Sequence, residues 1–285
     1  MVQQKIILII VVWLSLTNSG ISQVLDTPVT TADSTSIWSA VKHDAKYIVK
    51  GVGHSLSRPL HWKGEDFTRL GILLAGTSIM SLADESFRDW TQKNSDDYPL
   101  LLRDFGWYFG SPQNYFAANA GLYAFGLLTK NEKVRKTSVL IISSSITTGV
   151  LQSFLKTTVG RARPSSGFDN YTFKPFSGES QYRAFPSGHT ILSVTMAHSI
   201  AKQFENTWAK IGIYTIGALP PISRIVDNAH WLTDIVFSAA LSIIVVDCID
   251  NYLFKEKAYD YPTRKKLVSW NLRVGGNQIG VVGTF

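Results

Sequence analysis

From Thr68 onward the apolar residues gather into six stretches of helical length, at about 68–83, 114–129, 137–155, 189–204, 208–222 and 231–253. Strict alternation of apolar and polar positions, the mark of a half-buried strand, is scarce before the tail, and no long internal repeat recurs. The pattern predicts an all-α fold, a helical bundle of about six core helices. In the tail, "LVSWNLRVGGNQIGVVGTF" sets two β-favouring runs on either side of "GGN", which could join them as a short C-terminal β-hairpin.

The N-terminal quarter reads differently. Lys5 precedes an apolar run from Ile6 to Leu16, too short for the roughly 20 residues of a spanning helix, and small residues including Gly20 and Ser22 follow. A secretory signal over residues 1–22 is expected, with an uncleaved membrane anchor as the alternative. Residues 23–67 are polar and punctuated by Gly, Ser and Pro, with an amphipathic piece at about 37–49, and read as an exported lead-in. The expected layout is therefore signal 1–22, lead-in 23–67, helical domain 68–255 and tail 256–285.

Composition leaves the solvent of the bundle open. Apolar residues make up 45% and charged residues 17%, which fits neither a disordered chain nor an obvious string of lipid-buried helices. The stretch "SVLIISSSITTGVLQSFL" carries a hydroxyl band, and "DIVFSAALSIIVVDCIDNYLF" carries Asp247 and Asp250, so both are marginal spans. The basic link "KNEKVRK", 130–136, would prefer the cytoplasm. With an outside N-terminus, that placement puts the segment after Leu155 outside only if 68–83 does not span; otherwise the whole chain is an exported soluble domain.

The formal net charge of +7 favours an acidic surface or an anionic substrate. No long Lys/Arg block with interleaved aromatics marks a nucleic-acid groove, so no nucleic-acid partner is expected. Cys248 is the only cysteine, which excludes an internal disulfide and a cysteine metal site. His43, His54, His61 and His198 have no ligand-like spacing; no metal or cofactor is expected.

Three stretches carry candidate chemistry. In "AFPSGHT", 184–190, Pro186 discourages helix before it, Ser187 can cap the helix that follows, Gly188 permits close approach to the backbone, and His189 falls in the first turn. The unpaired N–H groups and positive dipole end of such a turn seat an oxyanion, although an ordinary capped helix also accounts for this stretch. "KTTVGRARP", 156–164, supplies Lys156, Arg161 and Arg163 after a helix. "SRIVDNAHWLTD", 223–234, supplies Ser223, Arg224, His230 and Asp234; the last two, four apart, share a helical face, where the carboxylate can hold the imidazole in one tautomer.

Together these residues resemble the type 2 phosphatidic acid phosphatase family, which shares its helical fold with bacterial nonspecific acid phosphatases and vanadium-dependent haloperoxidases. The family's three-part signature is matched in order and spacing by Lys156 with Arg163-Pro164, by Pro186-Ser187-Gly188-His189, and by Ser223-Arg224 with His230 and Asp234. The resemblance covers about 110–255. It implies a metal-independent phosphatase acting on phosphate monoesters or pyrophosphates, with lipids the expected substrates. It further implies that His230 is the nucleophile, Asp234 its orienting carboxylate and His189 the general acid. Lys156, Arg163, Arg224 and the backbone at Ser187 and Gly188 would bind the phosphate. An exported site, periplasmic or membrane-associated and facing away from the cytoplasm, is expected on the same ground. A vanadate-dependent haloperoxidase and a catalytically silent envelope interaction protein are the alternatives.

Residues outside the signature receive plainer readings. Arg161 is either a further substrate-binding cation or a solvated loop arginine. The aromatic residues of 165–185, Phe168 to Phe185, could flank an opening for a lipid tail, but covering the bundle end is the expected role. "DESFRDW", 84–90, reads as a helix end with solvated charges.

Overall fold

The structure is a computed structural model that describes residues 36–259 and, by backbone alone, 269–275 and 278–284. The signal expected over 1–22 lies outside the described residues. In chain order the helices are α1 (Ile37–Ser57), α2 (Gly64–Met80), α3 (Asp84–Lys93), α4 (Leu100–Phe109), α5 (Pro112–Leu128), α6 (Glu132–Val159), α7 (Gly188–Ala201), α8 (Thr207–Val226) and α9 (Leu232–Asp250). In the tail, β1 (Ser269–Gly275) pairs antiparallel with β2 (Gln278–Thr284). The six apolar stretches correspond to α2, α5, α6, α7, α8 and α9. The amphipathic piece at 37–49 is the first half of a longer helix, and α4 had no counterpart in the sequence reading.

The interior of the bundle combines apolar clusters with many small hydroxyl residues, while large apolar side chains cover much of its exterior. Buried positions include Ser143, Ser144, Thr147 and Thr148 on α6, Ser193, Thr195 and Ser199 on α7, and Ser238 and Ser242 on α9. Several of these hydroxyls donate to the carbonyl four residues earlier, as Ser143 does to Val139 at 2.7 Å and Thr148 to Ser144 at 2.8 Å, so their polarity is satisfied within the helix. Small side chains let helix backbones approach. The outward faces carry Phe67, Ile72 and Ile79 on α2, Ile146, Val150 and Phe154 on α6, and Ile243 and Ile244 on α9, all exposed. Among the described residues, three continuous helical segments, Gly64–Lys93, Glu132–Val159 and Leu232–Lys255, are long and apolar enough to cross a membrane. These features fit membrane association.

Two apolar clusters tie the bundle together. Val139 and Leu140 of α6 pack with Val245, Val246 and Ile249 of α9, together with Leu253 and Tyr259. Tyr115 of α5 packs with Ile141 of α6 and Leu192 and Met196 of α7. Near the first cluster, the buried Asp44 of α1 pairs with Arg135 at 3.1 Å, accepts from Tyr123 Oη at 2.8 Å and also accepts from Tyr259 Oη. Chain direction then fixes where chemistry can gather: the end of α6, the start of α7 and the start of α9 lie at the opposite end of the bundle from this network.

Candidate active site

At the end of α6 the chain turns sharply. Gly160 closes the helix in the left-handed region, φ 59°, and a Cβ there would fall 2.1 Å from the Lys174 carbonyl oxygen, so no other residue fits. The turn carries the chain from Lys156 into an extended run. There Ala162 N–H donates to Thr172 O, Arg163 N–H to Gln181 O and Ala184 N–H to Arg161 O. These bonds fasten the aromatic segment 165–185 over the end of the bundle, which is the covering role expected of it.

The signature residues meet here. Lys156 Nζ donates to Arg183 O at 2.6 Å, and Arg163 Nη1 to Ala229 O at 3.3 Å, beside His230. Arg224, at the end of α8, is held by Ser223 Oγ at 3.0 Å and by Asp227, which also receives Arg103 of α4. His230 is buried just before α9, with its Nδ1 3.6 Å from Asp234 Oδ2, longer than a hydrogen bond. His189 Nε2 is buried and has no hydrogen-bond partner.

Charge ties these groups electrostatically. Burial first, then the positive charges of Arg224, Arg163 and Lys156 with the neighbouring His230, bring His189 down to about 4. Burial also lowers His230 to about 4; Asp234 opposes the shift, while Lys156 and Arg163 add to it. Both imidazoles are therefore neutral at pH 7 while an anion is absent. The two guanidinium groups and Lys156, set around two neutral imidazoles, make a strong attractor for a multiply charged oxyanion.

The start of α7 departs from the simplest expectation. Ser187 is the N-cap, but its N–H donates to Ser238 Oγ at 2.7 Å and its Oγ receives Thr190 Oγ1 at 3.1 Å. The Ser187 N–H is thus taken by Ser238, and the N–H groups of the first turn that lack an intrahelical acceptor start at Gly188.

Two expectations are corrected. Arg161 is neither a solvated loop residue nor a free substrate cation: it is buried at 4% exposure, and four of its five N–H groups are donated to Asn170, Thr233, Asp234 and Asp84. Asp84 is not a solvated charge at a helix end; it is wholly buried and pairs with Arg161 at 2.6 Å. Burying a guanidinium is tolerable only with such partners, and local sequence carries no sign of a partner 77 residues away.

The sequence reading also passed over Gln152 and Gly110. Gln152 stands one turn before Lys156 on α6, and its amide lies against Gly188, 2.6 Å from where a Cβ would be. Its four-residue spacing from Lys156 was the available signal. Gly110, after α4, lies against the ring of His189, and nothing local marks it.

The PAP2 superfamily profile matches residues 137–256. A lipid A 1-phosphatase of Rhizobium johnstonii is 29% identical over 129 residues, 42% of this chain and 51% of that protein. A lipid A 1-phosphatase of Porphyromonas gingivalis is 32% identical over 89 residues, 29% of this chain and 20% of that protein. The crystal structure of Aquifex aeolicus LpxE superposes with a TM-score of 0.46 at 23% identity, covering 59% of this chain and 95% of that one. The chain thus spans about half the length of the rhizobial relative and a fifth of the Porphyromonas one. Residues 137–256, matched by the PAP2 superfamily profile, hold every position of the three-part pattern.

Proposed function

We propose that the protein is a membrane-associated phosphatase that hydrolyses lipid phosphate monoesters through a phosphohistidine intermediate, without a metal. The observation that carries the proposal is the cluster of Lys156, Arg163 and Arg224 around two neutral, buried or half-buried imidazoles, one of them backed by a carboxylate.

The neutral His230 attacks phosphorus with the ring nitrogen that faces away from Asp234. The bond from phosphorus to the leaving oxygen breaks as the new P–N bond forms, and Asp234 stabilises the positive charge that develops on the ring. The leaving oxygen needs a proton, which His189 supplies. Without substrate, burial and then the surrounding cations keep that ring neutral; a seated dianion offsets the cations' charge and raises its proton affinity, so substrate binding itself arms the acid. In the second half-reaction water attacks phosphorus, His189 takes its proton, and the P–N bond breaks to release inorganic phosphate and restore His230. Lys156, Arg163, Arg224 and the N–H groups from Gly188 onward hold the equatorial oxygens throughout.

A lipid substrate is supported by the apolar exterior and by a cavity of about 340 Å³ beside Arg161 and Thr233, walled in part by Val159, Tyr171, Phe173 and Phe185. Because the relatives described above are named as lipid A phosphatases, lipid A phosphates are the first substrates to try. The orientation of the site, facing away from the cytoplasm, is supported by the basic start of α6. Lys133, Arg135 and Lys136 stand about 30–35 Å along the helix from Lys156 and would favour the cytoplasmic side. None of those relatives points to a haloperoxidase or a silent envelope protein.

The test is phosphate release by the detergent-purified full chain from lipid A, phosphatidate, phosphatidylglycerol phosphate, an isoprenyl pyrophosphate and nitrophenyl phosphate. Turnover of at least one lipid and its loss in His230→Ala are expected. Undiminished turnover in that variant would remove His230 from the chemistry, and turnover of soluble esters alone would overturn the lipid assignment.

A further inference from the structure

Asp234 does not face His230 alone. Its Oδ1 accepts from Arg161 Nη1 at 2.8 Å and its Oδ2 from the Trp231 N–H at 2.9 Å, which leaves the Oδ2 edge 3.6 Å from His230. Arg161 continues the chain: Nη2 donates to Asp84 Oδ2 at 2.6 Å and Nε to Asn170 O at 3.0 Å. Thr233 reinforces the link between Arg161 and Asp84. Its Oγ1 receives Arg161 Nη1 at 2.7 Å and donates to Asp84 Oδ2 at 2.6 Å, while its N–H donates to Asp84 Oδ1 at 3.0 Å. The guanidinium lies 5.5 Å from the ring centre of Trp231 and 6.0 Å from that of Phe173, so its plane is also fixed by aromatic contact.

We propose that Arg161 and Asp84 are positioning residues for the phosphatase reaction: a buried Asp84–Arg161–Asp234 chain, reinforced by Thr233, holds Asp234 in the one orientation that serves His230. This rests on the phosphatase reading of the site. The charge count explains why two carboxylates share one arginine. Asp234 paired with Arg161 alone would form a neutral unit with little left to stabilise a positive imidazole. Asp84 takes up half of the guanidinium, so the trio keeps one net negative charge, located on the carboxylate beside His230. The bidentate fork of Arg161 is needed to reach both acids at once, which a lysine ammonium does poorly. Asp84 is contributed by α3, outside residues 137–256, so this part of the site is built by the N-terminal helices.

The experiment measures kcat and KM separately on the full chain in detergent, with thermal unfolding as a check on folding. Asp84→Asn and Arg161→Lys are expected to lower kcat by about tenfold to a hundredfold, the scale of a misplaced catalytic group, while KM stays within about twofold. Asp84→Glu, which restores the charge, is expected to recover part of the lost kcat. Should the charge variants fail to fold, Thr233→Val removes only the bridging hydroxyl and is expected to give a smaller loss of kcat with KM unchanged. A raised KM with kcat intact would make Arg161 a substrate-binding cation and overturn the proposal. So would an active wild type whose kcat survives all of these substitutions. A wild type that turns over none of the phosphate esters sinks the phosphatase reading itself, and this proposal with it.

Discussion

Gly110 lies against His189: a Cβ on Gly110 would fall 2.7 Å from His189 Cδ2 and 3.0 Å from both His189 Cβ and Pro220 Cβ. The bare backbone after α4 therefore forms one wall for the ring proposed as the acid. Gly110→Ala adds only a methyl group, but that methyl occupies the ring's space. We expect about a hundredfold lower kcat, since displacements near 1 Å at a reacting centre cost that much. The loss should be larger on alkyl phosphates than on nitrophenyl phosphate, whose leaving group needs less protonation. Equal loss on both would mean that the methyl disturbs something other than the acid.

The two imidazoles set a pH dependence. Each has its proton affinity lowered from the ordinary 6.5 to about 4. The unfolded chain therefore takes up protons before the folded one does as pH falls. Stability from these rings is complete above about 6.5, drains away between 6.5 and 4, and then levels off. For activity, kcat/KM should fall as pH drops through about 4 and His230 becomes protonated. The charges facing His230 are Lys156 of α6, Arg163 of the following segment and Asp234 of α9. Removing one cation, as in Lys156→Met, should move the acid limb toward neutral pH as well as weaken substrate binding. A pH–rate profile on both proteins checks the sign.

Gly160→Ala tests the turn after α6. The left-handed conformation and the 2.1 Å approach to Lys174 O leave no place for a methyl group. A loss of more than about 2 kcal/mol is expected, read as a lowered Tm. Because the same turn sets Lys156 relative to Arg163, any folded fraction should also show a raised KM.

Asp44→Ala separates stability from chemistry. Asp44 lies at the far end of the bundle, wholly buried and paired with Arg135 and two tyrosines. Breaking a buried pair costs about 3–5 kcal/mol, so Tm should fall strongly. The kcat of the protein that remains folded should stay at the wild-type value.

How much of this was legible beforehand depends on the sequence distance over which each feature acts. Helices α2 and α5 to α9 announced themselves because twelve or more mostly apolar residues in a row leave few alternatives, and the signature residues because their spacing is fixed within each stretch. Helix α4, "LLLRDFGWYF", is short and sits between prolines at 99 and 112, which hid it. The surroundings of the site were hidden for another reason. Asp84 and Arg161, or Gly110 and His189, are some 80 residues apart, and a long-range contact leaves no periodicity in either segment. The fit to a membrane became legible only from which side the hydroxyls face. Composition counts Ser143 and Ile146 alike whether they point in or out, and only the folded bundle places the first inside and the second on the surface.

The partnership of Asp84 with Arg161 bears on where the working unit begins. Trimming the chain to residues 137–256 would leave every motif letter in place yet strip away the acid that shares the buried guanidinium, the glycine behind the second imidazole and the arginine that steadies Asp227. The excised piece would keep the alphabet of the site and lose its grammar; on the positioning role proposed for Asp84, a competent fragment has to reach back at least that far.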